Sequence, residues 1–346
     1  MKLLHTAIVG LAMASCLISS AEPADSVSTG TRSEYIPHIH GVFRGRFEAS
    51  TVESAYRFQV RNARLKIDGS VGRYVDYLMQ TDFCDRGKIK ILDAWAALKP
   101  IEGLNFRLGQ FRVPFGIETF RGPSNYLFAN RAFLAKHAAN YRAVGFRAAY
   151  TLRPVPLTLE AGAFNPGTID DHQPWRSTLT FATKATYRHS GITASVSYLS
   201  HKPQSRRINY LDAAAGYKSD SWGVEGEYIY SHPVHMGSCG ISHAYLIQSY
   251  YAMTLRSDFF NRLSFEARFD GRTGAPEFSA DPEEEQPCSY YRSRRRITLG
   301  STISHLQTKY LDVHLRINYE KYLYCNHYRP DAEQGDKAVL ELIVNF

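Results

Sequence analysis

Between residues 117 and 140 the sequence places Arg121, Arg131, Lys136 and His137 against one carboxylate, Glu118. Cationic groups gathered in one stretch do one kind of chemistry well, which is to hold anions. Arginine presents a planar fork that matches phosphate or carboxylate bidentately, and lysine adds a point charge. If this stretch narrows a water-filled passage with low-dielectric walls, its field is focused and anions are favoured. The other reading of the same residues is that the arginines pair with facing carboxylates and only brace the segment. Arg121, Arg131 and Lys136 are therefore the candidate anion contacts of a constriction.

No catalytic grouping competes with this reading. The sequence has no G-x-S-x-G, no H-E-x-x-H and no glycine-rich phosphate loop, so neither an enzyme nor a cofactor is expected. His38 and His40 share a face at i, i+2, and His232 lies close to His235. Neither set has a third ligand at convincing spacing, so no metal site is expected and a wet face accounts for both.

The elements that must position the cationic stretch are strands. In residues 38–48, His38, His40, Arg44, Arg46 and Glu48 share one parity, while Ile39, Phe43 and Phe47 take the other. A period of two means a strand with one wet and one apolar face. Residues 262–270 and 311–320 alternate the same way, and a phase slip in the second segment predicts a bulge near Asn62. About sixteen segments follow: 36–49, 56–69, 73–83, 89–99, 104–113, 141–152, 156–164, 178–188, 192–201, 208–218, 222–232, 243–256, 262–271, 293–305, 310–323 and 336–346. Their connections alternate. Short turns follow the even-numbered segments, and several long loops follow the odd ones, at 117–140, 165–177, 274–292 and 324–335. An all-β transmembrane antiparallel barrel of about 16 strands has this rhythm, with short periplasmic turns and long outer loops. In that fold the longest connection, 117–140, is the third outer loop and is expected to fold into the lumen. Lipid cannot hydrogen-bond a backbone, so the strands must close and the charges must face inward. Arg44, Arg46, Arg64, Arg147, Arg268 and Arg316 are thus expected to line the lumen.

Residues 1–21 read as a secretory signal peptide cleaved near Ala21, with a basic start, an apolar stretch and small residues at the end. Cys16 also offers a poor lipoprotein box. Residues 22–34 read as a short periplasmic segment and 35–346 as the barrel. No later run of 18 or more apolar residues offers a transmembrane helix. The mean hydropathy of −0.32 fits a barrel whose strands are half polar. The formal net charge of +8 comes without an aromatic and basic nucleic-acid motif, so no nucleic-acid partner is expected. Part of the excess sits in Arg292 to Arg296, following Glu283 to Glu285. Three readings fit those two runs: solvated loop, local pairing, or an acidic run that binds divalent cations or lipopolysaccharide. Cys84, Cys239, Cys288 and Cys325 all fall in or beside outer loops, where an exported compartment permits disulfides in any of three connectivities. The last segment, with Ala338, Leu340, Leu342, Val344 and Phe346 on one face, has the form of a barrel-assembly signal.

Asp93-Ala94-Trp95, the run Gly109-Gln110-Phe111-Arg112-Val113-Pro114-Phe115-Gly116, then Asn130-Arg131 and Gly145-Phe146-Arg147 together resemble the phosphate-selective porin O and P family. The resemblance covers about residues 38–165. It implies a sixteen-stranded Gram-negative outer-membrane barrel, usually a homotrimer, whose third outer loop enters the lumen. It also implies phosphate binding through lysines and an arginine ladder. Of those residues the loop matches only Arg121, Arg131 and the single lysine Lys136. The expectation is passive diffusion of small hydrophilic solutes, with anions favoured, in contact with outer-membrane lipid and lipopolysaccharide. The alternative is a barrel that scaffolds an adhesive or enzymatic outer loop.

Overall fold

The computed structural model describes residues 36–85, 87–122, 125–137, 142–166, 175, 177–202, 206–236, 240–257, 259–278, 287–307, 311–324, 328 and 330–346. The signal-peptide and lipoprotein readings, Glu283 to Glu285, Cys239 and Cys325 lie outside the described residues, as do the side chains of Lys136, His137 and Cys288. Cys84 is a free thiol.

The barrel unit runs from Pro37 to Phe346. Its strands are β1 (His38–Ser50), β2 (Tyr56–Val71), β3 (Val75–Asp85), β4 (Lys88–Leu98), β5 (Leu104–Arg112), β6 (Arg142–Leu152), β7 (Leu157–Phe164), β8 (Thr180–His189) and β9 (Ile192–His201). They continue with β10 (Ile208–Lys218), β11 (Trp222–Pro233), β12 (Ser242–Thr254), β13 (Arg262–Arg272), β16 (Arg294–Gln307), β17 (Leu311–Leu323) and β18 (Lys337–Asn345). These sixteen form one closed antiparallel barrel, while β14 (Ala275–Phe278) and β15 (Pro287–Tyr291) make a separate two-stranded sheet. The connection expected as plain loop at 274–292 therefore carries a hairpin of its own. Closure is made by β1 against β18, from Val42 opposite Asn345 to Ser50 opposite Lys337. Two backbone hydrogen bonds between Gly41 and Phe346 extend the ladder. Closure leaves no edge strand, which is what a hydrocarbon solvent requires.

Burial is inverted relative to a soluble protein. Arg44, Arg268, Asp270, Arg296, Glu320 and Glu341 are buried, whereas Phe58 is 84% and Ile91 62% exposed. Charges on one parity of each strand meet inside, and the apolar parity forms the outer surface. The β1–β2 register shifts between Arg44 and Gly45, where Asn62 and Val60 are the partners. Arg61 is thus the extra residue of a bulge, one position from Asn62. That slip lets both Arg61 and Arg64 line the lumen.

Candidate functional site

The connection from β5 to β6 is built to turn inward. Gly109 has φ of 132°, and a Cβ there would meet the Ala94 carbonyl oxygen at 2.3 Å and Trp95 Cα at 2.7 Å. Only glycine lets β5 approach β4 so closely. Gln110 Nε2 donates to the carbonyls of Ile91 (2.8 Å) and Leu92 (3.0 Å) and reinforces the same edge. At Gly116, φ is 70° and a Cβ would lie 2.6 Å from a Glu227 carboxylate oxygen. The chain turns there, and the backbone N–H groups of Ile117 and Glu118 donate to that carboxylate at 2.9 and 2.8 Å. A short 3-10 turn, Glu118–Phe120, follows. Lys184 holds the Gly116 carbonyl, and Ser197 accepts from the Gly116 N–H at 2.9 Å.

An apolar seam fixes the connection to one wall. Phe115, Ala132 and Leu134 pack with Ala182, Leu199, Tyr210, Ile229, Ala244 and Leu246, the inward-facing residues near the long-loop ends of β8 to β12. The Phe115 and Tyr210 rings meet edge to face at 6.1 Å. A short helix, α1 (Phe133–His137), ends the described part of this connection.

Across the lumen the fastening is polar. Arg316 donates to the Tyr126 carbonyl at 2.7 Å, Arg44 to Ala129 at 2.9 Å, Arg268 to Asn130 at 2.9 Å and Arg296 to Arg131 at 2.7 Å. The N–H groups of Ala129 and Phe133 donate to Asn318 and Asp270, both at 2.7 Å. Each of these arginines also pairs with a carboxylate: Arg44 and Arg316 share Glu341, Arg268 and Arg296 share Asp270, and Arg296 also reaches Glu320. A buried charge needs such pairing, and a buried carbonyl needs a donor. One arginine supplies both.

The sequence-identified residues therefore separate. Arg44, Arg268 and Arg316 line the lumen but are engaged by the connection. Arg46 reaches Glu48, Gln59 and Asn130, Arg64 pairs with Asp82 at 2.8 Å, and Arg147 pairs with Glu160 at 2.7 Å. Arg121 sits between Glu118 and Glu225. Burial works against its charge, but the two carboxylates outweigh burial and raise its pKa. Arg131 differs. Among the described residues no carboxylate lies within ion-pair distance; its guanidinium stacks 4.8 Å from the Tyr126 ring centroid and donates to the Arg121 carbonyl at 3.5 Å. Burial lowers its pKa well below the arginine range, with Arg112, Arg64 and Arg142 adding to the effect against the pull of Glu118.

Arg131 opens onto a cavity of about 950 Å³ at the long-loop end, between the connection and the wall that runs from β16 through β1 to β4. Among the described residues it is lined by eleven arginines and Lys337, against Glu48, Asp85 and Glu333. Composition alone hid much of this set. Arg294 and Arg296 sit in what reads as a basic loop run, yet they alternate inward on β16 while Ile297 and Leu299 face out. Continuing the alternation back from Thr298 identifies them. Arg142, which grips Asp93 bidentately at 3.0 Å, gave no sequence signal beyond its charge.

Comparison with known proteins agrees with this architecture. Among solved structures, OmpF of Salmonella typhi in complex with daunomycin superposes with a TM-score of 0.61 at 14% identity, covering 90% of this chain and 97% of that one. The anion-selective porin from Comamonas acidovorans gives 0.57 at 10% identity, covering 90% and 98%. The trimer form of OmpT from Vibrio cholerae gives 0.57 at 8% identity, also covering 90% and 98%. No curated protein matches the sequence. The family model for phosphate-selective porin O and P matches residues 39–225. With the closed barrel and its inward connection, that match makes this chain an outer-membrane barrel of the phosphate-selective porin O and P family.

Proposed function

We propose that this porin passes small hydrophilic solutes by passive diffusion and favours anions, phosphate among them. The observation that carries the reading is Arg131, a guanidinium of the inward connection with no carboxylate within ion-pair distance among the described residues, facing a cavity lined by eleven arginines and Lys337. Anions entering it gain charge complementarity in a focused field, and cations are repelled. Arg121 contributes to anchoring, since Glu118 and Glu225 already neutralise it. Lys136 is included as a further anion contact from its place in the same connection. The phosphate-selective family name and the anion-selective porin among the structural neighbours support the reading.

The working form is read as a homotrimer, in line with the trimer form of the Vibrio cholerae neighbour, made after signal-peptide cleavage near Ala21. Cross-linking and N-terminal sequencing of the exported protein test these two points. The central test is the zero-current potential of single channels under a KCl gradient, followed by phosphate addition. Anion preference with partial block by phosphate is expected, and a preference for cations refutes the reading.

A further inference from the structure

The wall formed by β16 to β18 and its loops, together with Phe133 of the inward connection, carries side chains that the passage of small ions does not call for. Phe133, Tyr322, Tyr324 and Tyr328 follow one another with ring centroids 5.9, 6.3 and 4.9 Å apart. Cations lie over this strip. The Arg294 guanidinium is 4.8 Å from the Phe133 centroid, Arg292 is 4.3 Å from Tyr328, and Lys337 Nζ is 5.6 Å from Tyr322. All of them line the 950 Å³ cavity. Among the described residues none of Arg292, Arg294 and Lys337 has a carboxylate within ion-pair distance, and the buried Arg294 Nε has no hydrogen-bond partner.

Two physical points decide what such a wall would hold. A cavity of this volume falls in the range of organic-ligand sites, and a lone inorganic anion would leave most of it to water. The face of an aromatic ring is the negative end of its quadrupole, so four rings offer nothing to a bare phosphate and mildly repel it. Tyr322, Tyr324 and Tyr328, which are less buried than Phe133, do offer stacking to a flat ring. The cations beside them, with no carboxylate in ion-pair range among the described residues, take negative charge.

We propose that this wall captures organic anions that combine a planar ring with two or more negative charges, such as a nucleoside monophosphate, before they reach the inward connection. The proposal rests on the anion-favouring reading above and adds the ring. Its test is current block in single channels, with adenosine monophosphate, ribose 5-phosphate or orthophosphate added on the long-loop side. Stacking of one base on an aromatic side chain is worth roughly 1–3 kcal/mol. Adenosine monophosphate should therefore interrupt the current at concentrations about fivefold or more below those of ribose 5-phosphate, which carries the same phosphate without a base. Tyr324→Leu with Tyr328→Leu should erase that difference while leaving block by ribose 5-phosphate in place, and Arg294→Gln should weaken both. Equal block by the two phosphates in the unmodified channel overturns the proposal whether or not the variants assemble. If anion preference persists in that case, only the ring-binding claim falls. Channels that prefer cations remove the underlying reading and this proposal with it.

Discussion

Arginines inside the barrel do two different jobs, and their partners decide which. Arg316 pairs with Glu341 at 3.1 Å and holds the Tyr126 carbonyl. Arg316→Gln would leave Glu341 with Arg44 alone and weaken the grip on the connection. Removing one member of a buried charged network costs on the order of 3 kcal/mol. The expected result is a lower heat-modification temperature of the barrel on gels, with little change in ion preference in the channels that form. Arg131→Gln should do the reverse. It removes a charge with no ion-pair partner among the described residues, so stability should hold while the anion-to-cation permeability ratio falls about fivefold, equivalent to roughly 1 kcal/mol at the constriction. Equal zero-current potentials for Arg131→Gln and the unmodified channel would refute its role. Alternation in the sequence is enough to predict Arg44, Arg268 and Arg316 as inward. It cannot separate bracing from free charge, because the deciding partners lie far away in the chain: Glu341 is 297 residues from Arg44.

At the scale of elements, strands were legible and the inward connection only half so. Most barrel strands alternate, with the bulge at Arg61 as one interruption, and a period of two survives in sequence because one face meets lipid and the other water. The seam does not announce itself. Ala182, Leu199, Tyr210, Ile229 and Ala244 are apolar on the inward parity, which breaks the polar lumen rule. That local break is the only trace in the sequence of where the connection docks. Leu134→Asp tests the seam, since a buried carboxylate with no partner there costs several kcal/mol unless the segment leaves the wall. Channels of this variant should show noisier openings and larger unitary conductance. Unchanged conductance in a folded barrel would mean that the polar bonds to Asn318 and Asp270 hold the connection without the seam. Gly116→Ala attacks the same element from its hinge, where a Cβ collides with Glu227 at a φ that a side chain adopts at a cost of about 1–2 kcal/mol. Its expected effect is the same noise at smaller amplitude.

At the scale of the whole molecule, the interior charge is distributed unevenly. The lower lumen and the anchoring wall carry matched pairs such as Lys99 with Asp76, Arg147 with Glu160 and Arg296 with Glu320. The excess collects at the long-loop end, where seven of the twelve cations lining the cavity pair with carboxylates, while Arg131, Arg292, Arg294 and Lys337 have none within ion-pair distance among the described residues. A fixed charge of that kind acts through water and is therefore screened: the Debye length is about 10 Å at 0.1 M salt and 3 Å at 1 M. At low salt the cavity should fill with counter-anions well above their bulk concentration, and at high salt it should not. Unitary conductance should accordingly fall much less than tenfold when KCl is lowered from 1 M to 0.1 M. The contact made by Arg131 is short-range and escapes most of this screening, so a residual anion preference should persist at 1 M and disappear in Arg131→Gln. Conductance proportional to salt across that range would show that Glu48, Asp85 and Glu333, with bound ions, neutralise the cavity. Selectivity would then rest on the inward connection alone.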